Sequence, residues 1–129
     1  MKIGRTNVRF GWIWILVGII CGAIMGMWSF NGPLVSPVGD YISLPRRMLR
    51  LSHIAFIALS MMNILYGYEI DNIKSKFKKL GSNCMICGGV LMPLILLGAV
   101  FFEPIKYGTM IPVFLIIIAL VIIIKGIKD

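Results

Sequence analysis

The chain has 129 residues, 59% of them hydrophobic and 14% charged, with a net charge of +8. That length suits a single domain spanning 1–129. The apolar share is more than a water-facing surface can hide, because soluble domains carry about 25% charged residues. The positive charges do not form a basic domain of the kind that binds nucleic acid. They sit in short clusters between long uncharged runs, as cations do beside membrane spans, where anionic headgroups attract them. The lipid bilayer, and not nucleic acid, is the expected partner.

Charge is absent from residues 10–39, 51–68, 80–102 and 107–124. A helix crosses the hydrocarbon core with about 17 to 25 apolar residues, and each run is long enough. In lipid every backbone group must bond internally, so such runs are helices. They lack the apolar/polar alternation of a barrel strand. The expected fold is all-α, an integral membrane four-helix bundle with helices at residues 11–30, 47–68, 83–102 and 107–125.

The first helix follows Lys2, Arg5 and Arg9 and should stop at Asn31-Gly32-Pro33 and Pro37. A signal peptide is the alternative. The apolar run is too long for a signal core, and no small-x-small cleavage site follows it cleanly, so a retained span is expected. Gly18, Gly22 and Gly26 recur at four-residue spacing, with Gly11 on the same face. Such a stripe lets another helix approach closely. Contact within this chain is favoured over docking to another subunit. Trp12, Trp14 and Trp28 lie near the two helix ends, as interfacial aromatics do.

The second helix carries most of the polar side chains. His53, Ile57, Ser60, Ile64 and Gly67 fall on one side, with Phe56 and Asn63 at its edge. Leu51, Ala55, Ala58, Met62 and Leu65 fall opposite. Polar groups in a membrane face protein, so Ser60 and Asn63 should pack against other helices. Pro45 suits the first turn. Arg46 and Arg50 then share a side with His53, the only histidine in the chain. Two arginines beside an imidazole could hold haem b, with guanidiniums on the propionates and the imidazole on iron. A quinone head group could bond His53 instead. The competing expectation, and the favoured one, is that His53 packs and the arginines meet lipid phosphates.

The third helix opens with Cys84-x-x-Cys87, a spacing used by redox dithiols and zinc sites. No further Cys or His lies near to complete a zinc site, so neither a metal nor a disulfide framework is expected, and Cys21 is isolated. Pro93 should bend this helix. Glu103-Pro104 and Gly108 shape a hairpin into a fourth helix made almost wholly of Ile, Leu and Val. In the loop at 69–79, Ile70, Ile73 and Phe77 recur at helical spacing, which predicts an amphipathic turn on the inner leaflet.

Nine cations (Lys2, Arg5, Arg9, Lys74, Lys76, Lys78, Lys79, Lys125 and Lys128) share one side of this topology, and four (Arg46, Arg47, Arg50 and Lys106) share the other. The positive-inside rule therefore puts both termini in the cytoplasm. The expected location is a prokaryotic cell (inner) membrane. All five acids lie outside the spans, and no acid pair, nucleophile–base set or phosphate loop is present. The preferred function is a non-catalytic accessory subunit of a larger membrane complex, a respiratory one among the candidates, bound to other membrane subunits or to itself. The second is an electron-transfer subunit contacting haem or quinone through His53, Arg46 and Arg50. The third is a small oligomeric transporter or channel, ranked last because the spans lack charge.

Overall fold

In a computed structural model, which describes residues 2–28 and 34–127, the chain forms α1 (Gly4–Met27), α2 (Leu44–Ile70), α3 (Lys78–Phe101) and α4 (Met110–Gly126). A 3-10 helix, Glu103–Thr109, leads into α4. Each of the four helical segments is long and apolar enough to cross a membrane, the last counted with its 3-10 turn. No strand occurs among the described residues. The expected end of the first helix at Phe30 and its Asn31-Gly32-Pro33 stop lie outside the described residues.

Packing runs α1 on α2, α2 on α3 and α3 on α4, so α1 and α4 form the two flanks. The seam between α1 and α2 is antiparallel and glycine-lined. A methyl group on Gly11 would stand 2.7 Å from the Ser60 carbonyl oxygen, one on Gly18 2.8 Å from Ile57 Cγ1, and one on Gly67 2.5 Å from the Gly4 carbonyl oxygen. Gly4, Gly11 and Gly18 recur every seven residues, the period that keeps one face of a helix against an antiparallel neighbour.

α1 begins at Gly4, seven residues before the predicted start at residue 11. The cause is Asp71, whose carboxylate accepts from the Ile3 N–H at 3.0 Å and the Gly4 N–H at 3.2 Å. A carboxylate at a helix N-terminus satisfies orphan donors and opposes the dipole. α2 begins at Leu44, three residues before the predicted start, capped by Ser43, whose Oγ accepts from the Arg46 N–H at 3.4 Å, with Pro45 in the first turn. Pro93 lies inside α3, a position membrane helices tolerate.

The loop between α2 and α3 corrects the amphipathic-turn expectation. Residues 71–77 are turns and not helix, and Ile70 and Ile73 are buried rather than laid on a leaflet. They join Tyr66, Cys84, Met85, Ile116 and Ala119 in the apolar core between α2, α3 and α4. Only Phe77 of the three is exposed. The Lys74 N–H donates to the Gly126 carbonyl at 3.1 Å, so the end of α4 rests on the same loop that caps α1. The two chain ends therefore share one side of the bundle.

The outer surface is apolar. Trp12, Ile13, Leu16, Ile19 and Ile20 of α1 are exposed, as are Leu51, Ile54, Met61 and Leu65 of α2 and Ile111, Phe114, Ile117, Ile118, Val121 and Ile124 of α4. The buried set, by contrast, includes Asn7, Ser52, Ser60, Asn63 and Ser82. Apolar outside and polar within is the arrangement for a chain solvated by lipid.

Candidate functional site

Two groups of polar side chains stand out. The first lies within the bundle and joins three helices. Asn7 donates through Nδ2 to Asn63 Oδ1 at 3.1 Å and to the Ser82 carbonyl at 3.4 Å, while its Oδ1 accepts from the Ser82 hydroxyl. Asn63 donates through Nδ2 to the Leu59 carbonyl at 3.0 Å and the Met85 carbonyl at 3.2 Å. Each amide thus has both donors and its acceptor engaged, which is what burial in a low-dielectric interior demands. Gly89 makes room for it, since a methyl there would stand 2.7 Å from Asn63 Nδ2. The network is closed on itself. It fixes helix positions and leaves no group free for chemistry.

Two further bonds cross between helices. Ser52 Oγ donates to the Pro93 carbonyl at 2.7 Å, and the Tyr66 hydroxyl donates to the Ala119 carbonyl at 3.2 Å. Ser60, expected to pack between helices, instead donates to the Phe56 carbonyl of its own helix. It still contributes to the seam, through its carbonyl against Gly11.

The second group lies at the N-terminal end of α2. Arg46 is buried; its Nη1 donates to Ser36 Oγ at 2.6 Å and its guanidinium lies 5.6 Å from the centre of the Trp28 ring. Arg50 stacks on Tyr41, with its guanidinium carbon 3.9 Å from the ring centre. The Cε1 edge of His53 is turned into the α1–α2 seam, where a methyl on Gly22 would stand 2.6 Å from Cε1 and 3.0 Å from Nε2. Arg50 Nη1 and His53 Nδ1 are both buried without a hydrogen-bond partner among the described residues. A hollow of about 290 Å³ opens beside Tyr41 and Arg46, also lined by Trp28, Ser36, Gly39 and Asp40.

The expected trio of Arg46, Arg50 and His53 is therefore gathered at one end of one helix, with its members turned to different neighbours. Gly18 and Gly22 line the seam within this chain. Among the described residues Gly26 meets nothing there, since a methyl group on it would have none of their atoms within 4 Å. Cys84 is buried and Cys87 exposed, both as free thiols. No group of three or more metal-ligating side chains comes together among the described residues.

Asn7, Ser52, Tyr66, Asp71 and Ser82 were not singled out from the sequence. One signal was present: an asparagine in mid-span, Asn63, requires a polar partner from another helix. No protein-family model, curated protein or solved structure matches this chain.

Proposed function

We propose that this chain is a non-catalytic accessory subunit of a larger membrane complex, seated in a prokaryotic cell membrane with both termini in the cytoplasm. The supporting observation is the direction in which its polar groups point. Asn7, Asn63, Ser52, Ser82 and Tyr66 are all engaged within the chain, while the exposed side chains of α1 from Trp12 to Met27 and of α4 from Met110 to Ile124 are all apolar. Surfaces of this kind offer contact area to lipid or to other apolar helices, and nothing to a reacting substrate. The charge asymmetry supports the orientation.

The test is extraction in a mild detergent from the native membrane, with a tag on this chain expressed at its natural level. Recovery with a defined set of membrane subunits is expected. Recovery as a fully stable monomer from that membrane would remove the proposal.

A second reading, contact with haem or quinone, draws on the unpartnered Nδ1 of His53. Against haem, an axial bond from Nε2 would have to open the seam at Gly22, which the ring now abuts. An absorption spectrum of the intact complex decides this point. A Soret band abolished by His53→Ala is the outcome that reading requires.

A further inference from the structure

We propose that Arg50 and His53 bind the phosphodiester of an anionic membrane phospholipid at the open end of the α1–α2 seam. The starting point is the pair of buried nitrogens without partners, Arg50 Nη1 and His53 Nδ1. They belong to residues three apart on one helix, which places both on neighbouring positions of one face. Buried donors are nearly always paired, so an unpartnered one marks a place where a ligand atom belongs. A guanidinium offers a rigid fork of donors suited to phosphate oxygens. With its proton on Nδ1, the imidazole supplies a further donor.

The seam leaves an opening there. Gly11 faces Ser60 and Ile64, Gly18 faces Ile57, and Gly22 faces His53. Each step up α1 is a matching step down α2, so Gly26 falls in register with Leu49 and Arg50. At that point no described residue comes within 4 Å of a methyl added to Gly26. The hollow lined by Tyr41, which stacks on Arg50, and by Arg46 lies at the same end of α2.

Depth along the helix favours a lipid as the source of the phosphate. The uncharged stretch of α2 from Leu51 to Tyr68 rises about 27 Å at 1.5 Å per residue. The hydrocarbon core is about 30 Å thick. Arg50 therefore stands at the boundary between acyl chains and headgroups, with Tyr41 stacked on it in the layer such aromatics prefer.

His53 is the only histidine, so the ¹⁵N-histidine spectrum of the whole delipidated chain reports this site alone. The protein in neutral detergent is titrated with phosphatidylglycerol, phosphatidylcholine, inorganic phosphate and a short-chain quinone. Phosphatidylglycerol is expected to move the imidazole resonances saturably and more tightly than phosphatidylcholine. Arg50→Gln should weaken that binding about tenfold, the loss of roughly one charge-assisted hydrogen bond. Lys79→Gln, at the other end of the bundle, should leave it unchanged. If Arg50→Gln fails to fold, Arg50→Lys and the wild-type titration decide the matter. No movement with phosphatidylglycerol, or equal binding by the Arg50 variant, overturns the proposal. An equal response to inorganic phosphate would assign the site to free anion and not to lipid. A response to the quinone alone would overturn the phosphate assignment.

Discussion

Asn7 in the second turn of α1 donates its side-chain amide to Asn63 in α2, 3.1 Å away and 56 positions along the chain. Ser82 of α3 completes the contact from the other side. Replacing either asparagine with leucine strands the partner amide in a dry interior. In membranes such hydrogen bonds contribute on average about 0.6 and at most about 1.7 kcal/mol, while an orphaned buried group costs about 1–3 kcal/mol. Asn7→Leu and Asn63→Leu should each destabilise by about 1–3 kcal/mol on this scale. The double variant should cost less than their sum by more than about 0.5 kcal/mol. Reversible unfolding in mixed micelles measures both, and strict additivity would show that the two residues do not act as a pair.

The glycines of α1 should respond to alanine in opposite directions. Gly11→Ala drives a methyl into the backbone of α2 at the Ser60 carbonyl, which cannot move aside as a side chain can. A loss of about 1–3 kcal/mol is expected, as for other overpacked positions. Gly26→Ala meets no described residue within 4 Å. It should be neutral or stabilising by up to about 1 kcal/mol through helix propensity. Thermal unfolding of the two variants side by side checks the contrast. If both are equally harmful, Gly26 packs against a surface other than the described residues.

Gly81 lies directly against the hydroxyl of Tyr66, so Gly81→Ala should destabilise by forcing that hydroxyl from the Ala119 carbonyl. Tyr66→Phe removes the clash together with the hydrogen bond and should by itself cost about 1 kcal/mol. The combination Gly81→Ala with Tyr66→Phe should be more stable than Gly81→Ala alone. A double variant worse than either single one would place the strain at Ile122, the next nearest side chain.

Asp71→Ala removes the acceptor for the first two amides of α1. Loss of an N-terminal cap costs about 0.5–2 kcal/mol. The effect should be local: amide exchange at residues 3–7 accelerates, while α3 keeps its protection. Uniform acceleration across all four helices would mean that the cap holds the whole bundle.

The four spans were legible because the uncharged runs set them apart, and hydrocarbon thickness fixes how long such a run must be. The interior contacts were harder to read. Asn7 lies between Arg5 and Arg9, where the pattern of charge suggests a flank, and only the distant Asp71 carries the helix that far back. His53, Ile57, Ser60, Ile64 and Gly67, one side of α2 by helical period, all lie against glycines of α1 or their neighbours. Ser52 and Tyr66 were passed over because a helix packed between two neighbours buries two faces, and a search for one polar stripe finds one of them. Ile73 gave a helical spacing that the turn at 71–77 does not follow, since burial against Gly126 holds it instead.

The short loop after α2 has a consequence for biosynthesis. Its Asp71 closes the first turn of α1, and its Lys74 holds the last residue of α4. A ribosome releases residue 71 only after every residue of α1 and α2, and Ser82 later still. The start of the protein must therefore wait, incomplete, for its middle. The glycine seam between α1 and α2 needs neither of those groups, so it is the contact the first two helices can make during that interval.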